Sequence, residues 1–231
     1  MHKNKKSWVP TPLEMMKAQI AVLRDPINKK NNALFIHAPG TNNSYLDNKL
    51  INSAVNCYRN NLTNSIILNS LSSTKNKKKS NEYNYQTWKN ILIKKGVEEK
   101  DIQSIPPSLH TAQETEQFLN LAKNKKWSKI IIATHPQHQL RCFLQIVAIM
   151  KKNNFWPKVY NLTHEGIPWK CNMEKKSLAH TVRGPLSKQI EQEYCRIINY
   201  AKKPKLNALK IPTHTCSATI PEMLIYLNKR D

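Results

Sequence analysis

Two imidazoles and a guanidinium follow an apolar run in the middle of the chain, in the stretch KIIIATHPQHQLR. Behind Thr134 come His135, His138 and Arg141. Side chains of these types can bind a metal ion, transfer a proton, or hold an anion over the start of a helix. They can equally have a structural role at the start of a helix, with Thr134 or His135 as the N-cap and His138 at the surface. The sequence leaves these alternatives open.

Polar groups also stand at the ends of the other apolar runs. They are His37, Gly40 and Thr41 after the first run, Asn69 and Ser70 after the second, and Thr111 and Glu114 at the start of a later helix. Because ligands of α/β proteins bind beyond the carboxyl ends of the strands, we predict that these groups share one binding site. Thr134, His135 and Arg141 belong to the same predicted site. His138 and Glu114 are its candidate catalytic acid–base residues.

Glu114 also has a structural interpretation. It stands three residues after Thr111, which is the spacing of a capping box, and this role explains a glutamate there by itself. Arg141 has two interpretations as well: a structural pair with Glu114, or a guanidinium fork that binds a ligand carboxylate or phosphate. Because the Thr111–Glu114 and His138–Arg141 spacings occur together, we favour a ligand-binding role over capping alone.

Several familiar motifs are absent from the sequence. With 4 glycines in the whole chain, neither the G-x-G-x-x-G turn nor the P-loop can be built, and the G-x-S-x-G elbow is missing. The histidines show neither H-x-x-x-H nor H-E-x-x-H spacing, so no metal site is predicted. The 5 cysteines are widely spaced without C-x-x-C, which indicates reduced thiols.

The chain is strongly basic, with a formal net charge of +22 over 231 residues. The positive residues are mostly Lys, whose hydrated ammonium group is common on any protein surface. Recognition of phosphates and base edges favours Arg, because its guanidinium can donate two hydrogen bonds at once. Because the lysines are spread along the whole chain, the composition does not favour nucleic acid as a partner. No signal peptide or membrane span is evident, so we expect a soluble cytoplasmic protein. Secretion without an N-terminal signal stays open.

The order of apolar and amphipathic segments predicts an α/β fold. Five short apolar runs, ALFIH, SIILNS, DIQSIP, KIIIA and WPKVYNLT, alternate with helical patterns. Because the runs are continuously apolar, they predict a mainly parallel sheet with helices on both faces, in a three-layer, Rossmann-like arrangement. We expect a lead-in helix in residues 1–31, a main domain in residues 32–165, and a C-terminal extension in residues 166–231 that wraps and packs on it with two helices.

A set of spacings in the middle of the chain agrees with a known family. The set comprises Gly96-Val97 at a helix end, Ile102 in an edge strand, Thr111 with Glu114, and Thr134 with His138 and Arg141. Over roughly residues 33–163 the chain resembles the bacterial YdcF/SanA/ElyC-type family, and in particular its soluble YdcF type. It departs from the family at Asn69-Ser70 and at Thr115. The resemblance implies a Rossmann-like fold and, as in one member type, S-adenosylmethionine as a ligand.

The residues and the resemblance together predict a ligand-binding function. We expect a small anionic or nucleotide-like ligand, with S-adenosylmethionine as a candidate, to bind at the strand ends. No cofactor is expected to be required, and whether a reaction occurs stays open. The alternatives are a hydrolase or transferase acting on a phosphate-bearing envelope precursor, and a basic adaptor for nucleic acid or membrane surfaces.

Overall fold

The computed structural model describes residues 9–37, 44–71, 84–164, 172–176, 181–202 and 217–231, with the backbone alone for residues 44, 172–176, 181–184 and 200–202. The helices in these ranges are α1 (Pro12–Leu23), α2 (Ser44–Arg59), α3 (Tyr85–Lys94), α4 (Thr111–Asn124), α5 (Pro136–Asn153), α6 (Leu186–Lys202) and α7 (Ile220–Arg230). The strands are β1 (Ala33–Ile36), β2 (Ile66–Asn69), β3 (Ile102–Ile105), β4 (Lys129–Ala133), β5 (Lys158–Leu162), β6 (Asn172–Lys176) and β7 (Thr181–Pro185).

Five strands form one parallel sheet in the order β3-β2-β1-β4-β5. The central pair runs in register from Ala33 opposite Ile130 to Ile36 opposite Ala133. Every residue of β1 and of β2 is buried, as expected for strands covered on both faces. The predicted α/β fold with a mainly parallel sheet is confirmed, and so is the edge position of β3.

Helices cover both faces of this sheet, and each face has its own hydrophobic core. On one side, α1, α4, α5 and α7 pack over residues such as Phe35, Phe118 and Phe143. On the other side, α2 and α3 pack over Leu34 and Ile66. Phe35 and Phe118 stack with ring centroids 4.6 Å apart, directly below the carboxyl end of β1. The two cores therefore fix the strand ends from both sides.

The helix ends follow local sequence signals in two cases and depart from them in a third. Thr11 is the N-cap of α1, and Gly96, whose φ of +87° favours glycine, directly follows the C-cap of α3. The capping box predicted for Thr111 and Glu114 is wrong. His110 is the N-cap of α4 and makes no side-chain cap hydrogen bond. Thr111 is therefore the first helical residue, which moves Glu114 one place beyond the capping position.

The region after β5 contains an antiparallel hairpin, with β6 paired to β7. The sequence predicted an irregular wrapping segment here, because neither strand shows a continuous apolar run. The two C-terminal helices predicted from the sequence are present as α6 and α7. Both helices pack against α5.

Thr219→Ala is expected to lower the free energy of unfolding by about 1 kcal/mol. Thr219 and Glu222 form a reciprocal capping box at the start of α7, and alanine removes the oxygen that accepts from the Glu222 N–H. Urea unfolding measures the change, with Ser217→Ala as the control because Ser217 is exposed and lies outside the cap. Equal losses in the two variants would rule out a stabilising role for the cap.

Candidate functional site

Polar side chains from three neighbouring elements meet at the carboxyl edge of the sheet. His37 follows β1, Asn69 ends β2, and Glu114 and Thr115 lie on the first turns of α4. All four residues are buried, with His37 and Thr115 fully enclosed. The structure thus brings together His37, Asn69 and Glu114 from the predicted site, and adds Thr115.

The carboxylate of Glu114 is shared between two partners. Its Oε2 lies 3.1 Å from Nδ1 of His37, and its Oε1 accepts a 2.7 Å hydrogen bond from the Asn69 amide. The Asn69 amide also donates to the carbonyl of Ser108, and its oxygen accepts from the Ser108 N–H. Asn69 therefore ties the end of β2 to the entry of α4 and fixes one oxygen of Glu114.

The hydroxyl of Thr115 determines how protons are placed on His37. Thr115 donates its single hydroxyl hydrogen to the carbonyl of Thr111, at 2.8 Å. Its oxygen then accepts from Nε2 of His37, 3.3 Å away, so that this nitrogen carries a hydrogen. The contact between Nδ1 and the Glu114 carboxyl needs one more proton. This pattern assigns one proton to the space between His37 and Glu114, held by either partner.

A second cluster lies one helical turn away, where α4 faces α5. Nη2 of Arg141 lies 2.8 Å from Nδ1 of His138. The Thr111 hydroxyl oxygen is 3.4 Å from Nε2 of His138 and 3.4 Å from Nη1 of Arg141. The predicted residues Thr111, His138 and Arg141 are thus in contact, and Thr111 links this cluster to Thr115.

Glu193 of α6 is the principal partner of Arg141, and the sequence did not reveal it. Nε of Arg141 donates to Oε2 of Glu193 at 2.6 Å, and Arg196 also contacts this carboxylate. The structural pair predicted between Arg141 and Glu114 is therefore wrong, because Glu114 is held by His37 and Asn69. No local spacing could have indicated Glu193, which lies 52 residues from Arg141.

The pKa of Glu193 is lowered although its side chain is buried. Burial alone would raise its pKa, but the positive charges of Arg141 and Arg196 hold the pKa of Glu193 well below its ordinary value. A carboxyl whose pKa is lowered in the folded state stabilises the fold at pH values above the pKa of the unfolded chain, which is about 4.5. That stabilisation is lost as the pH falls below this value towards the lowered pKa.

Glu193→Gln is therefore expected to unfold at lower urea concentration than wild type at pH 7, with a difference that narrows at about pH 3. At the lower pH the carboxyl of the unfolded chain takes up a proton, so that the ionised carboxylate no longer stabilises the folded chain as strongly relative to the amide. Urea midpoints at the two pH values measure this. Glu191→Gln is the matched control, because Glu191 is exposed on the same helix. A difference that stays constant with pH would contradict the lowered pKa.

The start of α5 holds two further predicted residues. His135 is the N-cap and is fully buried, but its side chain makes no cap hydrogen bond. Its Nε2 lies 3.0 Å from the carboxylate of Asp47 on α2, in a geometry outside the range of a hydrogen bond. The hydroxyl of Thr134 is buried with no hydrogen-bond partner among the described residues. Neither residue contacts the His37–Glu114 pair through a hydrogen bond between described atoms.

The remaining predicted residues are placed as follows. Gly40 and Thr41 lie outside the described residues. Ser70 follows β2, is half-buried, and donates its backbone N–H to the carbonyl of Ile105 at 3.1 Å. Two open clefts of about 380 and 320 Å³ lie beside α1 and α2, away from the His37–Glu114 pair. The side chains around this pair, those of His37, Asn69, Glu114 and Thr115, are buried.

Two further properties concern only the described part of the chain. Three or more His, Cys, Asp or Glu side chains do not come together there as a metal site. No helix within those residues is both long enough and apolar enough to cross a membrane.

The model of the TENA/THI-4/PQQC family matches residues 51–154 of the chain. The match covers less than half of the 231 residues. It refers to a family with a helical type of fold, whereas residues 51–154 of this chain include the parallel strands β2, β3 and β4. No curated protein and no solved structure matches the chain.

This match contradicts the resemblance to the YdcF/SanA/ElyC-type family, which is therefore wrong. The function predicted with it, a YdcF-type domain that binds a small anionic or nucleotide-like ligand such as S-adenosylmethionine, is corrected on the same ground. The match supports neither the envelope-precursor enzyme nor the basic adaptor. The spacings behind the resemblance reflect polar residues at strand ends and helix starts, which α/β proteins of many functions share.

Proposed function

We propose that this chain is an enzyme that carries out general acid–base chemistry on a small polar molecule at the carboxyl edge of the sheet. The observation that carries the proposal is the buried contact of 3.1 Å between His37 and Glu114. We infer one shared proton for this contact from the hydrogen bonds of Thr115. Such a pair can take up or release a proton within an enclosed site, where positioned acid–base groups are effective. The position at the strand ends agrees with where α/β enzymes bind their substrates.

In this proposal Glu114 is the catalytic residue and His37 is its proton partner. The Glu114 side chain keeps 8% of its surface exposed, whereas His37 keeps 1%, so that Glu114 is the member closer to a substrate. A proton removed from the substrate moves to the Glu114 carboxylate while the shared proton remains on His37. In the reverse direction, Glu114 gives its proton back to the product.

The residues around Thr111 would bind the substrate. Arg141 donates into the Thr111 hydroxyl oxygen, and so does His138 when its proton lies on Nε2. The hydroxyl hydrogen of Thr111 is then left to donate to an oxygen or nitrogen of the substrate. In this arrangement His138, predicted to be an acid–base residue, acts as a hydrogen-bond donor. Thr134 and His135, which are buried at the start of α5, would form part of the floor of the site.

The substrate class is proposed from the family match. The TENA/THI-4/PQQC family suggests an enzyme of the thiamine-salvage type or one related to PQQ. Thiamine and its pyrimidine and thiazole breakdown products are therefore the first compounds to test. We also propose a Rossmann-like layering for the fold and a cytoplasmic location, the latter supported by the scattered cysteines.

The test compares wild type with Glu114→Gln and Glu116→Gln. Glu116 lies on the same helix and pairs at the surface with Lys152, so that its replacement is a matched control. Each protein is incubated with thiamine and with its breakdown products, and consumption is followed by mass spectrometry. We expect wild type and Glu116→Gln to consume at least one compound and Glu114→Gln to be strongly impaired. Consumption of none by wild type would overturn the substrate class, and equal rates in all three would overturn the role of Glu114.

A further inference from the structure

Glu193 contacts the cluster formed by Thr111, His138 and Arg141, although it comes from a distant part of the chain. It lies on α6, its side chain is 6% exposed, and it contacts both Arg141 and Arg196. The Arg196 side chain is 21% exposed, and it contacts Glu193 three residues earlier on the same helix. The contact with Arg141, by contrast, joins α6 to the second turn of α5. Glu193 therefore anchors the guanidinium that faces His138.

The position of Arg141 determines which nitrogen of His138 carries the proton. A guanidinium only donates hydrogen bonds. Its Nη2 lies 2.8 Å from Nδ1 of His138, so that Nδ1 must offer its lone pair and the proton of the neutral ring lies on Nε2. That nitrogen lies 3.4 Å from the hydroxyl oxygen of Thr111. Nη2 of Arg141 is also 3.5 Å from Nε2, but its contact with Nδ1 is the shorter one and decides which nitrogen accepts. The anchored guanidinium thus makes His138 a donor towards Thr111.

Glu193 by itself would favour the opposite arrangement. Its Oε2 lies 3.7 Å from Nδ1 of His138, and a carboxylate attracts a proton to the nitrogen it faces. Arg141 prevents this, because it donates to both Glu193 and His138. The two neighbours of Nδ1 therefore have opposing effects, and the one in closer contact sets the tautomer.

We propose that Glu193 is a positioning residue, which holds Arg141 against Nδ1 of His138 and so keeps the proton of His138 on Nε2, directed at Thr111. The catalytic use of this arrangement rests on the proposed function, since it concerns the donors that would bind the substrate. The tautomer itself can be measured without any substrate. A failure of this inference can therefore be distinguished from a failure of the proposed enzyme.

The experiment measures the ¹⁵N chemical shifts of the His138 ring at pH 7 in the full chain, assigned by their loss in His138→Gln. Wild type should show a bare Nδ1 and a protonated Nε2. In Glu193→Ala the guanidinium loses its anchor, and we expect a mixture of both tautomers. Glu191→Ala, an exposed change on the same helix, should keep the wild-type pattern. A wild-type pattern in Glu193→Ala, or the same change in both variants, would overturn the proposal.

A second variant keeps the test decisive if Glu193→Ala does not fold. Arg141→Met retains a side chain of similar length without charge and leaves the Glu193 carboxylate facing Nδ1. We expect the proton of His138 to appear on Nδ1, which is the reverse of wild type. The double variant Arg141→Met/Glu193→Gln removes this carboxylate and should show a mixture. If Nδ1 stays bare in Arg141→Met, Arg141 does not set the tautomer and the proposal fails.

Discussion

Glu114→Gln is expected to fold with nearly wild-type stability and to turn over substrate about 10²–10⁴-fold more slowly. A glutamine fits the hydrogen bonds of the site. Its oxygen can accept from Asn69, as Oε1 of Glu114 does at 2.7 Å, and its amide can donate to Nδ1 of His37. The hydrogen on Nε2 of His37 still reaches Thr115. Only the proton between positions 37 and 114 is lost, so that acid–base chemistry fails while packing is kept.

Thermal unfolding measures the stability of Glu114→Gln, and single-turnover rates on the same preparations measure its loss of activity. Glu116→Gln should match wild type in both, since it changes only a surface ion pair. A slow rate accompanied by a large loss of stability would mean that Glu114 acts through the fold. A wild-type rate in Glu114→Gln would show that Glu114 takes no part in the reaction.

Arg230→Met is expected to lower the free energy of unfolding by about 3–5 kcal/mol. Arg230 lies on α7 and forms a two-pronged pair with Asp25, with contacts of 2.7 and 2.8 Å. The two side chains are 3% and 1% exposed. The guanidinium also donates to the carbonyl of Val159 in β5 and lies over the ring of Tyr160. Methionine removes the charge and leaves the Asp25 carboxylate buried without its cation.

Differential scanning calorimetry measures this effect, which should appear as a fall in Tm on the order of 10 °C. Lys229→Met is the control, because Lys229 is exposed on the same helix. Asn161 also donates to Asp25 through its backbone and side-chain nitrogens. The double variant Asp25→Asn/Arg230→Met should therefore recover part of the loss, since no buried charge remains. A loss below about 1 kcal/mol for Arg230→Met would contradict this prediction, because the buried pair would then contribute no more than an exposed ion pair does.

Much of the architecture was predictable because it depends on local patterns. The apolar runs at Ile66–Asn69 and Lys129–Ala133 indicated buried parallel strands, and the structure confirms them. Gly96 marked a helix end because a positive φ there suits glycine. The rule that parallel strands end at one edge also led to His37, Asn69 and Glu114 as neighbours, which the structure brings together.

The partners within the site could not be predicted, because they come from distant parts of the chain. Arg141 and Glu193 are 52 residues apart, and Asp25 and Arg230 are 205 residues apart. Glu114 shows a second reason. Its spacing from Thr111 matched a capping box, but burial beside His37 and Asn69 gives the carboxylate stronger partners than a helix start exposed to water. Tertiary contacts overrode the local pattern there.

The most direct test of a shared proton is the ¹⁵N spectrum of the His37 ring at neutral pH, assigned by its loss in His37→Gln. In wild type we expect a protonated Nε2 and an Nδ1 whose shift shows a proton shared with Glu114. In Glu114→Gln, Nδ1 should become bare while Nε2 stays protonated. A wild-type ring with a bare Nε2 would contradict the proposal, because His37 would then be an ordinary neutral donor beside an ionised Glu114.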